Sequence, residues 1–137
     1  MPSNKEIAWS YFEYFNQGRI EEALALLDDS GTWWNTLNRK TTTMPRMKAA
    51  TRKIAPLVPW KFTLHHALED GDKVALDLES HAMLPNGKLY NNVYVYVFTM
   101  RNGKILHCRE HADTKHAAEV LPPAAYAEDV ASYEQDT

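Results

Sequence analysis

Apolar and polar positions follow two periods in this chain, and the change falls near Pro59. Before it the spacing is helical. Ser3 and Glu6 stand three apart, the spacing of a capping box. Ile7, Tyr11, Phe12 and Phe15 then recur on one helical face, with Gly18 placed to end the helix. Ile20, Ala23, Leu24 and Leu27 predict a second short helix ending near Asp28. Ser30-Gly31 breaks that pattern, and Thr32, Trp33 and Trp34 read as a short strand. Residues 35–43 are polar and predict a loop. Thr43 can cap a third helix with Pro45 in its first turn and Met47, Ala50 and Ile54 as its buried stripe. Pro56 and Pro59 stop it.

Beyond Pro59 the period is two. Strands are expected over 60–69, 73–84, 88–100 and 104–113, separated by Asp70-Gly71-Asp72, Pro85-Asn86-Gly87 and Arg101-Asn102-Gly103. Asp-Gly and Asn-Gly between alternating runs are strong hairpin signals. Residues 114–121 predict a brief closing helix, and 122–137 an acidic tail. Helices first and strands second predict an α+β domain over 1–121, with the N-terminal helices packed on the concave face of a curved antiparallel sheet.

Alternation also assigns faces. On the third strand Tyr90, Asn92, Tyr94, Tyr96 and Phe98 share one side, and Leu89, Val93, Val95 and Val97 the other. Helices can cover only one of these apolar faces. A second copy of the sheet would cover the other, so a homodimer is expected. Glu79 shares a side of the second strand with Ala75, Asp77 and His81; Glu110 shares a side of the fourth with Leu106, Cys108 and Ala112. Val74, Leu76 and Leu78 look like core, which by periodicity turns Glu79 outward.

Composition agrees with one globular domain. The 137 residues are 45% hydrophobic and 24% charged, near ordinary usage, and no apolar run nears the roughly 18–20 residues that span a bilayer. The net charge of -3 and the lack of a concentrated basic surface argue against nucleic acid. The single cysteine and the start MPSNKEIAWS predict a protein of a reducing, cytoplasmic compartment rather than a secreted one. Neither a membrane nor a nucleic acid is expected as a partner. His107 and His111 on a strand would lie ~13 Å apart, too far to share a metal. His65 and His66 are expected on opposite faces. Cys108 lacks a neighbour that would make it a thiolate, and no glycine-rich phosphate loop is present. No metal or cofactor is therefore expected.

The best-marked stretch is residues 84–121, LPNGKLYNNVYVYVFTMRNGKILHCREHADTKHAAEVL. Its aromatic-Asn strand, Asn-Gly turn, Arg-Glu-His-x-Asp run and closing helix resemble the SnoaL-like branch of the nuclear-transport-factor-2-like superfamily. The resemblance covers about residues 5–121. It implies a cone-shaped α+β domain with a hydrophobic cavity, as in ketosteroid isomerase, polyketide cyclases and limonene-epoxide hydrolase. The closest chemical match is limonene-epoxide hydrolase. Carried over from it, the water-activating acid falls on Glu110, the general acid on Glu79, the water-holding asparagine on Asn35 and a tyrosine on Trp33. Its bridging arginine falls on Asp77. The ketosteroid isomerase base falls near Asn35.

The resemblance turns both carboxylates into the cavity, against the periodicity at Glu79. Two acids in an apolar hollow repel one another and lose water, which separates their acidities so that one can act as acid and the other as base. Otherwise each is tied structurally to a cation such as Arg19, Arg39 or Lys61. His81 is a candidate proton shuttle. Asn92 and Tyr94 are candidates to orient a ligand oxygen, and Trp33, Phe12 and Phe15 to form the wall. These readings predict a cofactor-free acid–base enzyme of isomerase, cyclase, dehydratase or epoxide-hydrolase type acting on a small apolar molecule. The alternative is a ligand-binding or dimerisation module without catalysis.

Overall fold

The computed structural model describes residues 1–121; the expected acidic tail lies outside the described residues. Helix α1 (Asn4–Asn16) opens with the capping box, Ser3 accepting from the Glu6 amide and Glu6 reaching back to Ser3. It buries Ala8, Tyr11, Phe12 and Phe15. Helix α2 (Ile20–Leu24) stops short of Asp28 because Leu27 already pairs with Ile105 in a sheet. Strand β1 (Leu27–Asn35) is longer than the expected Thr32–Trp34 segment. Part of the expected loop forms strand β2 (Thr41–Thr43), paired antiparallel to β1. Thr43 then caps α3 (Met44–Ile54), which runs into a 3-10 turn at Ala55–Leu57. The remaining strands are β3 (Lys61–Asp70), β4 (Lys73–Met83), β5 (Leu89–Tyr90), β6 (Val93–Arg101) and β7 (Lys104–Ala112), followed by α4 (Thr114–Val120).

The sheet runs β2-β1-β7-β6-β4-β3, with β5 beside β4. It is mixed rather than wholly antiparallel, because β1 and β7 are parallel. Hairpins cannot make that contact. The first strand lies beside the last, curling the sheet around α1. The other correction is at 88–100, where the expected single strand is two. Tyr90 pairs with Ala82 on β5, while β6 begins at Val93.

Asn92 occupies the break and is buried. Its Oδ1 accepts from the amides of Val93 and Asp113, and its Nδ2 donates to the Tyr90 hydroxyl and the Asp113 carbonyl. One side chain thus replaces the ladder bonds that the break removes.

Two bulges shift the alternation. Between Leu64 and His66 the β3–β4 register slips, so His65 and His66 are both exposed rather than on opposite faces. They pair with Glu79 and Asp77 on the same side. On β7 a slip against β6 lets Ile105 and Cys108 both enter the core.

A third irregularity lies in β1, between Leu27 and Thr32. Gly31 there passes so close to β7 that an added Cβ would sit 1.6 Å from the Leu106 carbonyl oxygen. Both partners are backbone, so neither can turn aside. Gly31→Ala is expected to cost about 3 kcal/mol in urea denaturation. A stability within 0.5 kcal/mol of the parent, taken as roughly neutral, would show that β1 and β7 can separate without harm.

Candidate functional site

The concave side of the sheet does not close on α1 and α3. A cavity of about 210 Å³ remains between them. That is below the ~300–1,000 Å³ usual for drug-sized ligands, and it suits a compact molecule. α1 supplies Tyr11, Phe12 and Phe15; α3 supplies Met47, Ala50 and Ile54; the sheet supplies Trp33, Phe62, Tyr94 and Tyr96. The expected buried stripe of α3 is therefore a cavity wall, and its residues are half-buried rather than packed. The rings brace one another. Phe12 meets Tyr96 at 4.8 Å and Phe62 at 5.1 Å, Tyr94 meets Tyr96 at 5.4 Å, and Trp60 stacks on Phe62 at 5.6 Å.

Glu110 projects into this aromatic space from β7. Its strand neighbours are Asn35 on β1 and Tyr96 on β6. The Trp33 indole N–H donates to Oε1 of Glu110 at 2.9 Å. A carboxylate beside apolar walls needs such donors to offset lost hydration. Glu110 is the only formal charge among the lining residues described.

Its charge reaches the phenols opposite. Burial is the first cause that pushes the Tyr90, Tyr94 and Tyr96 hydroxyls up, and Glu110 adds to it in each. All three therefore stay neutral and can donate hydrogen bonds at physiological pH. Burial, then Glu110, pushes the Cys108 thiol well above its ordinary value, so it is no thiolate.

The phenols are held by a chain of hydrogen bonds. The Asn92 amide donates to Ser80 Oγ at 3.2 Å, and Ser80 Oγ shares a bond of 2.9 Å with the Tyr94 hydroxyl. Asn92 Nδ2 donates to the Tyr90 hydroxyl at 2.9 Å.

The structure thus brings together Glu110, Trp33, Asn35, Tyr94, Phe12 and Phe15 from the sequence candidates. Asn92 is placed behind the wall, where it orients Tyr90 rather than touching the cavity. Asn35 has its Oδ1 engaged by the amides of Leu37 and Asn38, so it shapes the turn after β1 as well as the wall.

Two candidates are elsewhere. Glu79 and His81 lie on the outer side of β4, opposite the buried row Val74, Leu76, Leu78 and Ser80. Glu79 meets His65 Nε2 at 2.8 Å there, and His81 is exposed. Strict alternation from Val74 forbids the inward turn that the resemblance implied. The expected carboxylate pair does not form: Glu110 stands without Glu79. Sequence reasoning missed Tyr90, Tyr96, Trp60 and Phe62 as wall residues. Tyr90 and Tyr96 share the parity of Tyr94, which was the available signal; Trp60 and Phe62 needed the packing of β3 against α1.

The SnoaL-like domain family matches residues 9–108, and the chain belongs to that family. No curated protein matches the chain by sequence. Solved structures share the fold at low identity. An NTF2-like protein of unknown function from Burkholderia pseudomallei K96243 superposes with a TM-score of 0.76 at 17% identity, over 88% of this chain and 98% of that one. A protein from Shewanella putrefaciens CN-32, described as a candidate SnoaL-like polyketide cyclase, gives 0.73 at 14%, over 88% and 86%. TerC, co-crystallised with polyporic acid, gives 0.73 at 18%, over 85% and 96%. Among the described residues no group of three or more His, Cys, Asp or Glu is placed to hold a metal ion, and no helix is long and apolar enough to cross a membrane.

Asn92→Ala would strip partners from the Asp113 amide, the Val93 amide and the Tyr90 hydroxyl at once. It is expected to lower stability by about 2–3 kcal/mol, read by urea denaturation. A loss under 0.5 kcal/mol, within the range of a roughly neutral surface change, would show that water takes over these bonds.

Proposed function

We propose that this SnoaL-like protein is a cofactor-free acid–base enzyme acting on a small, mostly apolar molecule, with Glu110 as the base. The observation that carries the reading is a carboxylate in an aromatic cavity, the single formal charge among the described lining residues, oriented by the Trp33 indole. Glu110 would accept a proton from a ligand carbon or from a water molecule. The hydroxyls of Tyr90 and Tyr94, kept neutral by burial, would donate to the oxygen on which negative charge grows. Asn35 would shape the wall next to the base. This assigns the acid or electrophilic role to phenols rather than to Glu79 and His81. It fits isomerase, cyclase or dehydratase chemistry and also the opening of an epoxide.

A general test needs no known substrate. Exchange of carbon-bound hydrogen for deuterium is followed by NMR in D₂O over a panel of small cyclic ketones. The parent should accelerate exchange for at least one member, and Glu110→Gln should slow it by about 10²–10⁴-fold with stability changed by less than ~1 kcal/mol. Full exchange activity in that variant removes Glu110 as the base. Binding without any exchange would favour the alternative, a passive ligand-binding module.

The outer face supports a homodimer. Val93, Val95 and Val97 are exposed at 55%, 43% and 36%. They are flanked by Asp77 and Glu79 on β4 and by Arg109 on β7, so a second copy related by a two-fold axis can meet apolar with apolar and acid with base. We place this dimer in the cytoplasm, where the single thiol stays reduced. Val95→Glu is expected to shift the protein from dimer to monomer in analytical ultracentrifugation; a parent that sediments as a monomer at 100 µM would refute the dimer.

A further inference from the structure

The formal charge of the described cavity lining is of one sign, that of the Glu110 carboxylate. The faces of aromatic rings carry negative charge density, and the rings of Phe12, Phe15, Trp60, Phe62 and Tyr96 border the same space as Glu110. No Lys, Arg or His is found among the lining residues described. Two arginines of the described residues are engaged elsewhere: Arg19 lies over the Tyr14 ring and pairs with Glu22, and Arg109 stacks 3.9 Å above Trp34 on the outer face. An anionic ligand would be repelled by that carboxylate, with only neutral hydroxyls such as those of Tyr90 and Tyr94 to offset it. A cation would be drawn to the carboxylate and to each ring face it reaches.

We infer that the ligand of this cavity is a compact organic cation, an ammonium or iminium group carried on a small hydrocarbon body, with its charge beside Glu110 and its body against the rings. This rests on the reading of the cavity as a ligand site and deepens it by naming the ligand's charge. Ring faces and one carboxylate together recognise alkylated nitrogen, which is too poorly hydrated to prefer water and too bulky for a directed hydrogen bond. The small volume of about 210 Å³ sets the size to that of a single ring or a short branched chain.

The test compares a cation, its neutral isostere and an anion of similar size: benzyltrimethylammonium, neopentylbenzene and 3-phenylpropanoate. Binding is read from the fluorescence of Trp33 and Trp60, which line the cavity. The cation should bind at least tenfold more tightly than the neutral isostere, and the anion should not bind. Glu110→Gln should cut the preference of cation over isostere severalfold. The parent comparison stands on its own should that variant fold poorly. Equal or tighter binding of the isostere overturns the inference and leaves the ligand-site reading intact, as does an unchanged preference in a folded Glu110→Gln. Binding of none of the three overturns both.

Discussion

A carboxylate turned into an aromatic hollow is the constraint around which the inner side of this molecule is arranged. Glu110 loses part of its hydration there, and the fold must return it as hydrogen bonds. The Trp33 indole does so at 2.9 Å. That contact exists only if β1 lies parallel to β7 in the register that sets Trp33 against Cys108 and Asn35 against Glu110. The register in turn depends on Gly31, whose missing side chain lets the two backbones approach. A local absence in β1 therefore fixes the position of the one formal charge among the described lining residues.

The tyrosines form a second arrangement with its own support. Asn92 stands where β5 and β6 part company, and its amide binds both edges of the gap. The same residue that repairs the sheet also aims Tyr90. Repair of the sheet and placement of a phenol coincide in one side chain, which explains why an amide rather than an aliphatic residue occupies a fully buried site.

Local elements were legible in the residues. Ser3 and Glu6 mark the start of α1, and Thr43 marks that of α3, because caps are short-range contacts. Asn102-Gly103 marks a hairpin because both residues take positive φ, at 52° and 74°. The concealed parts arise from contacts between distant segments or from single inserted residues. Nothing near Trp33 announces a parallel partner seventy-odd positions away. The bulges at His65 and near Leu106 move side chains across the sheet without any sign in the alternation itself. The turning of Glu79 was legible from Val74, Leu76 and Leu78, and in that instance alternation was a better guide than the resemblance. The family was a sound guide to shape and to the inward placement of Glu110, and a poor one to the placement of Glu79, because side chains in such cones vary while the scaffold persists.

The separation of Trp33 from Glu110, 77 positions in the chain, has a consequence for how the molecule comes into being. Hairpins from β3 to β7 can assemble from neighbouring segments, but the closing seam joins an early segment to a late one. On a ribosome the early strand waits, edge unsatisfied, until nearly the whole domain has emerged. Long-range pairing of this kind is slow because the loop must close before the contact repays it. The chamber consequently has no half-built form: its charged group acquires its indole partner in the same event that seals the seam, and a chain cut short before β7 would lack both the seam and that charge.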